Sequence, residues 1–445
     1  MIESTTKLAQ EIVSGLAAEL NRPLSAMIEL SDRCNEVCVH CYQVQGQKGE
    51  MDTEQVFALL SELASAGVLL LTLSGGEVLL RKDFFEIAER ARELGFALRI
   101  FTNGLLVDAE VARRFAALSV QTVEISVYSP VAETHDFVTG VAGSFDKTIA
   151  GIRALRSHDV PVVMKSPLMS VNAHQVDAYQ QLANELGARM NLTPGDLTAR
   201  EGGTVEPSQF NADEDGVRAL TARFVHETRV PAGSRDPDSR SCGAGQGVHV
   251  EPDGQIRPCT MLDLDLGHVS EGLGRGAENP NPALSGLLSL RFRDLHGCRE
   301  CDLAPYCGRC YAQALVETGD ALGPHPSACK SARARAEAAL GRAITLVSTD
   351  SGAASGPYRR ESADRYRTIP DRVTSEDDKL AQRLGWTRKP IGQVSTAGLS
   401  ARPGELVQLR RPGKRPEVQR VPLGSVDDKV MGRQGNSVGR SGGNE

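Results

Sequence analysis

Three cysteines near the start of the chain combine the residue type and the spacing of a metal-cluster loop. Cys34, Cys38 and Cys41 are separated by three residues and then by two. Iron–sulfur clusters are normally held by cysteine thiolates, so three of them can bind three irons of a [4Fe–4S] cube and leave the fourth iron open to a small molecule. An open coordination position separates a reactive metal site from a structural one. The loop therefore predicts a reaction centre.

Two other interpretations of this loop stay open on the spacing alone. A zinc site needs a fourth ligand, and His40 is poorly placed for that role because it lies between Cys38 and Cys41. A disulfide between two of the cysteines would leave the third thiol unpaired. A zinc-binding or purely structural loop is therefore the alternative to a reaction centre.

The composition favours a cytoplasmic location. The chain of 445 residues is long enough for two folded domains. Its ten cysteines, together with a start that does not resemble a signal peptide, point to a reducing compartment. No apolar run approaches the ~20 residues of a membrane helix. Residues 349–445 carry 18 Lys+Arg and 12 Asp+Glu, so the remainder carries 32 and 45. Because the body of the protein is acidic, nucleic-acid binding is not expected.

Hydrophobic periodicity predicts alternating strands and helices as far as residue 195. Such βα units with right-handed crossovers favour a parallel sheet that is covered on both faces. The strands are expected at residues 26–30, 68–74, 97–102, 121–127, 161–168 and 189–194. The amphipathic helices are expected at residues 53–66, 82–95, 108–118, 144–158 and 174–187, and a last helix at residues 330–347.

The cysteine loop, which follows the apolar run 26–30, closely resembles the cluster loop of radical S-adenosylmethionine (SAM) enzymes. The resemblance implies an α/β fold, a partial (βα)6 barrel related to the TIM barrel, with its site at the carboxyl ends of the strands. It also implies a [4Fe–4S] cluster that binds SAM. Reductive cleavage of SAM would give a 5′-deoxyadenosyl radical that abstracts hydrogen from the substrate.

Motifs at the ends of three strands resemble the SAM contacts of this family. Each also has an ordinary explanation: Gly-Gly-Glu is a common turn, Asn-Gly favours a left-handed turn, and a helix lysine is usually solvated. Lys165 lies inside the fifth strand and must reach an anion or solvent. The SAM-binding residues that the resemblance implies are Gly75, Gly76, Glu77, Thr102, Asn103, Ser126 and Lys147.

Seven further cysteines resemble the SPASM extension of radical SAM enzymes, which carries auxiliary iron–sulfur clusters. The central motif here is Cys298, Cys301, Cys307 and Cys310. The family has three residues between the last two cysteines of this motif, whereas only Gly308 and Arg309 lie between them here. A zinc ribbon is the alternative, although seven cysteines do not divide into sites of four. The resemblance implies one cluster held by Cys242, Cys259 and Cys310, and a second held by Cys298, Cys301, Cys307 and Cys329.

These patterns predict four regions. They are an N-terminal helix (1–23), the radical SAM barrel (24–228), a cysteine-rich SPASM domain (229–347) and a disordered basic tail (348–445). The tail is rich in Gly, Ser, Pro and Arg, which disfavours a packed core.

The resemblance implies an oxidoreductase that modifies a ribosomally synthesised peptide. Thr260 follows Cys259, where the sulfatase-modifying branch has an aspartate, which argues against that branch. Few residues precede the barrel, so we expect peptide recognition by a separate protein or by the barrel and SPASM surfaces. A flavodoxin- or ferredoxin-like protein would donate electrons. The alternatives are a radical SAM enzyme acting on a small molecule or cofactor precursor, and a non-catalytic iron–sulfur or zinc protein.

Overall fold

The computed structural model describes most of the barrel and cysteine-rich regions. The described residues are 22–43, 46, 49–193, 197, 207–224, 235–273, 281–341, 343–344, 346–347, 358–361 and 365–368. The predicted N-terminal helix and almost all of the predicted tail therefore lie outside them. The chain divides into two units, 1–390 and 391–445, and no residue of the second is among those described.

Six parallel strands form the core sheet, as the sequence predicted. Their order in the sheet is the order in the chain, with every neighbouring pair parallel. Apolar residues of the first five strands are buried, among them Ile28, Leu73, Ile100, Ile125 and Met164, whereas no residue of the outer strand 189–193 is fully buried. The strands are β1 (Ser25–Glu29), β2 (Leu70–Ser74), β3 (Ala97–Thr102), β4 (Thr122–Ser126), β5 (Val162–Pro167) and β6 (Arg189–Thr193).

Amphipathic helices connect these strands and cover the sheet. The helix after β2 buries Phe84, Ile87 and Ala91 on one face, and its Phe84 ring packs 5.9 Å from the ring of Phe115 in the next helix. Such periodic faces are why the sequence located most helices to within two residues. The helices are α1 (Thr53–Ser65), α2 (Phe84–Glu93), α3 (Ala109–Ala117), α4 (Ala132–Thr139), α5 (Ser144–Ser157) and α6 (Val176–Glu185); α4 was not among the helices predicted from periodicity.

The cysteine-rich region extends the barrel sheet. Strand β7 (Val248–Val250) pairs in parallel with β1, and β8 (Ile256–Arg257) pairs antiparallel with β7. The eight-stranded sheet therefore ends at β6 on one side and at β8 on the other. Segments of two and three residues carry too little periodicity to be predicted from sequence.

Four more helices complete the described body: α7 (Glu214–Phe224), α8 (Pro282–Ser289), α9 (Tyr311–Thr318) and α10 (Pro326–Leu340). The last of these was predicted at residues 330–347 and instead begins with a proline at its first turn, a favoured position. Arg218 of α7 pairs with Glu337 of α10 at 2.7 Å.

A small second sheet is formed by β9 (Leu346–Val347), β10 (Tyr358–Glu361) and β11 (Arg365–Thr368). The described part of the chain contains no helix with the length and apolar character needed to cross a membrane.

Candidate functional site

The three-cysteine loop follows β1 and is held in place by backbone hydrogen bonds. On one side the N–H of Gly76 donates to Ser31 O at 2.7 Å, and the N–H of Glu77 donates to Arg33 O at 2.8 Å. On the other side the loop N–H of Val37 donates to the carbonyl of Thr139 at the end of α4, at 2.9 Å. The loop thus lies between the end of β2 and the end of α4.

The two glycines of Gly75-Gly76-Glu77 are required by the close approach of this loop. A Cβ at Gly76 would lie 2.2 Å from Arg33 O, and one at Gly75 would lie 2.4 Å from Ser31 O. Gly75 also has a positive φ of 149°, a conformation that side chains disfavour. The glycines therefore bring the backbone of the β2 end against the cysteine loop.

Glu77 is fully buried and makes three hydrogen bonds within the protein. Its Oε1 accepts from the Thr102 hydroxyl at 2.7 Å and from the Leu79 N–H at 3.0 Å. Its Oε2 accepts from the Asn103 N–H at 2.8 Å. Burial raises the pKa of this carboxyl, and the donors of Asn103, Thr102 and Leu79 oppose that change. The side chain therefore joins the ends of β2 and β3.

Asn103 connects β3 to the cysteine loop and to α5. Its Nδ2 donates to Asn35 Oδ1 at 2.6 Å, and its carbonyl accepts from the Thr148 hydroxyl at 2.9 Å. Lys147 lies beside Thr148 but is exposed on α5. The structure therefore brings Glu77, Thr102 and Asn103 together and leaves Lys147 at the surface.

A polar cluster lies on the sheet face that carries Ser126. Register places Ser126 beside Lys165, and Phe101 beside Glu124. Lys165 Nζ lies 3.7 Å from Glu124 Oε2 and 2.9 Å from the centre of the Phe101 ring. Burial lowers the pKa of Lys165 to about 7, against the opposing effect of Glu124. A lysine on this face can therefore exchange a proton near neutral pH.

The three cysteines of the first loop are half-buried, and carboxyl groups lie near two of their sulfurs. Burial raises the pKa of Cys34 to about 12, with smaller contributions from Glu77, Glu36 and Cys41. Burial also raises the pKa of Cys38. Such thiols ionise only beside positive charge, and a coordinating metal supplies it because a metal-bound thiol is deprotonated outright.

Tyr128 contacts the middle cysteine of the loop. Its hydroxyl lies 3.9 Å from the Cys38 sulfur, and its ring packs edge-on against His40, 4.6 Å between centroids. Asn172 Nδ2 donates to the Tyr128 carbonyl at 2.9 Å, which fixes the residue at the end of β4. No motif or spacing in the sequence predicts this contact.

The seven later cysteines fall into two neighbouring sets. Burial raises the pKa of Cys242, and the charges of Cys310 and Cys259 add to it. Burial raises the pKa of Cys329, and the charges of Cys307, Cys298 and Cys301 add to it. The resemblance implied the same grouping, and cluster binding by the two sets stays a prediction: Cys242, Cys259 and Cys310 in one; Cys298, Cys301, Cys307 and Cys329 in the other.

These donor sets fit iron–sulfur clusters. No three His, Cys, Asp or Glu side chains among the described residues are arranged to hold a single metal ion. A cluster does not need that arrangement, because each thiolate binds a different iron. All ten cysteines are free thiols, and each lies within one of the three sets.

Comparisons with known proteins agree with this site. A model of the radical SAM superfamily matches residues 28–183. An AdoMet-dependent heme synthase of Methanosarcina barkeri is 30% identical over 349 residues, covering 70% of this chain and 97% of the relative. The mycofactocin maturase MftC of Mycobacterium tuberculosis is 28% identical over 325 residues, covering 70% of this chain and 80% of the relative.

The fold is similar to that of Streptococcus suis SuiB bound to its precursor peptide SuiA. The TM-score is 0.54 at 16% identity, and the match covers 72% of this chain and 79% of SuiB. One conclusion follows from the cysteine loop, the parallel barrel and the heme synthase, which the chain matches over nearly its whole length. The chain belongs to the radical SAM superfamily.

Proposed function

We propose that this radical SAM enzyme modifies a ribosomally synthesised peptide. The observation that carries the proposal is the three-cysteine loop packed against Gly75-Gly76-Glu77. The loop supplies three of the four ligands that a [4Fe–4S] cluster needs, and the glycine backbone beside it is a surface on which a small cofactor can bind. The similarity to a mycofactocin maturase supports a peptide as the substrate.

Membership of the family implies a [4Fe–4S] cluster and SAM. Cys34, Cys38 and Cys41 would hold the cluster, and the backbone at Gly75 and Gly76 would contact SAM. When bound, the two together supply the 5′-deoxyadenosyl radical that takes a hydrogen atom from a C–H bond.

The surrounding side chains position this site. Glu77 fixes the end of β2 against Thr102 and Asn103, so the backbone that faces the cofactor is held before binding. Ser126 and Lys165 share the face of the sheet beside it. Ser126 would contact SAM, and exposed Lys147 would reach its carboxylate from α5.

We further propose two auxiliary iron–sulfur clusters, held by the two later cysteine sets. Their buried thiols need positive charge to ionise, and iron supplies it. An electron donor of the flavodoxin or ferredoxin type would reduce the enzyme.

We infer that a peptide reaches the site from the side of β6. This strand is an outer strand of the sheet, and its Arg189, Asn191 and Thr193 are exposed. Asn191 lies beside Lys165 in register and therefore shares its face. An outer strand offers unpaired backbone groups to an extended chain.

The test uses candidate precursor peptides encoded beside this gene, with and without a separate recognition protein. Anaerobic enzyme, SAM and a strong reductant should form 5′-deoxyadenosine faster when the substrate peptide is present. The peptide should lose two hydrogens in mass, because the 5′-deoxyadenosyl radical removes one hydrogen atom and the peptide radical then gives one electron to an auxiliary cluster and one proton to solvent. Formation of 5′-deoxyadenosine with unchanged peptide mass would contradict the proposal.

A second candidate is a cofactor-precursor enzyme. The 30% identity with an AdoMet-dependent heme synthase favours this function, because the match extends over 97% of the length of that synthase. Turnover of a porphyrin-type carboxylic acid, with no change in any peptide, would establish this function instead.

A further inference from the structure

Arg309 is a buried arginine placed between two cysteines of different sets. It follows Cys307 and precedes Cys310, and its side chain is almost completely buried. Its Nη2 donates to Gly323 O at 2.6 Å and also to Ala321 O, and its Nε donates to Gly323 O at 3.1 Å. These carbonyls fix the guanidinium in one position.

Within the described residues, no carboxylate pairs with Arg309, and its Nη1 is buried without a hydrogen-bond partner. Its nearest ring is Tyr311, 5.2 Å from the guanidinium carbon. The other well-buried arginine, Arg81, pairs with Asp83 at 2.8 Å. Burying a charge without a partner costs several kcal/mol, so the position of Arg309 implies an anion nearby.

Arg309 lies between cysteines of the two sets. Cys307 of the second set is two residues before it, and Cys310 of the first set follows it directly. The hydroxyl of Tyr311, whose ring lies beside the guanidinium, accepts a hydrogen bond from Ser241 at 2.7 Å, and the residue after Ser241 is a further cysteine of the first set. Once they hold iron, the cysteines of both sets are therefore the groups that carry negative charge beside this cation.

We propose that Arg309 is the shared counter-cation of the two auxiliary clusters and makes both easier to reduce. This inference rests on the proposed function, because it requires that both cysteine sets hold iron–sulfur clusters. Arg309 is a positioning residue here: it binds no iron and touches no substrate.

The physical reason is charge. Cysteine thiolates give each cluster negative charge, and reduction adds one electron to it. A fixed cation in a low-dielectric interior stabilises the reduced form more than the oxidised form. Because Arg309 lies beside both sets, one substitution should move both potentials.

The experiment uses the full chain with Cys34, Cys38 and Cys41 replaced by alanine, so that only auxiliary clusters are present. Iron content is measured after anaerobic reconstitution, and both couples are followed by EPR during a redox titration. Arg309→Gln should shift both midpoint potentials to more negative values. At the potential where the parent is half reduced, the reduced-to-oxidised ratio should fall at least threefold. For a one-electron couple this corresponds to a midpoint potential about 28 mV more negative.

Two further variants separate charge from structure. Arg309→Lys keeps the cation and should shift both couples less than Arg309→Gln does. Arg299→Gln removes an exposed arginine next to Cys298 and should leave both potentials unchanged. If Arg309→Gln fails to bind iron, the inference stands only if Arg309→Lys retains full iron and potentials near those of the parent.

Three outcomes overturn the inference. Unchanged potentials in Arg309→Gln with full iron content would show that the cation does not act on the clusters. A shift of one couple alone would show that it is not shared. Absence of auxiliary clusters in the parent would overturn the proposed function together with this inference, and iron analysis distinguishes that outcome from the other two.

Discussion

The Glu77 carboxylate accepts a hydrogen bond from the Thr102 hydroxyl at 2.7 Å and so joins the end of β2 to the end of β3. Both residues are buried. The sequence associated both with cofactor binding, and the structure shows that they also bind each other. The site is therefore held together by its own polar side chains before any cofactor enters.

Replacement of Glu77 by alanine should destabilise the protein. It leaves the buried donors of Thr102, Asn103 and Leu79 without an acceptor, and such losses cost about 3–5 kcal/mol in total. Denaturant unfolding of the anaerobic apoprotein should show a lower midpoint with an unchanged slope. Glu110→Ala, which removes an exposed ion pair with Arg113, is the control and should change little. Equal midpoints for the two variants would contradict the prediction.

Replacement of Gly76 by alanine should displace the cysteine loop. The new Cβ would lie 2.2 Å from Arg33 O, and the backbone there cannot move without shifting Cys34. Reconstituted Gly76→Ala should therefore lose the iron of the first cluster and keep the iron of the later cysteine sets.

Gly49→Ala is the matched control, because nothing lies within 4 Å of the Cβ it would add. It should bind as much iron as the wild type. Full iron binding and SAM cleavage by Gly76→Ala would show that the loop tolerates the displacement.

Local patterns were enough to predict the core of the fold. The strands were found because β5 and its neighbours are short apolar runs bounded by turns, and α2 was found because Phe84, Ile87 and Ala91 recur at helical spacing. Helix α4 was missed because its eight residues include only a short apolar pattern.

Contacts between distant parts of the chain could not be predicted in the same way. Asn35 and Asn103 are 68 residues apart and meet at 2.6 Å, and Tyr128 reaches Cys38 across 90 residues. Nothing in the local sequence of either pair specifies its partner. Arg309 carried one usable signal, an arginine placed between two cysteines, but its burial depends on carbonyls more than ten residues away.

Replacing Cys34, Cys38 and Cys41 with alanine should remove one cluster of three. If each cysteine set holds a cube, the wild type should bind about twelve irons and the triple variant about eight. The triple variant should also form no 5′-deoxyadenosine from SAM and reductant. The matched variant in which Cys298 and Cys301 become alanine should lose auxiliary iron and keep SAM cleavage. SAM cleavage by the first variant would place the reaction centre elsewhere.

The pKa of Lys165 predicts a stability change with pH. Burial lowers this pKa to about 7, whereas the unfolded chain protonates the same lysine near its ordinary value of about 10.4. Between these values the unfolded state binds more protons, so the contribution of Lys165 to stability rises with pH. Below pH 7 both states carry the proton, and the cost of burying the charge is fully present.

Lys165→Met removes that cost, so the variant should gain most stability over the wild type below pH 7. The gain should shrink as the pH rises from about 7 towards 10, because the wild-type lysine is then neutral in the folded state. Free energies of unfolding measured at pH 6.5 and pH 9 test this trend, with exposed Lys82→Met as the control. The side chain of Lys165 is 24% exposed, so the gain should be smaller than full burial would give. A gain that grows with pH would show that the lysine is held charged by Glu124 instead.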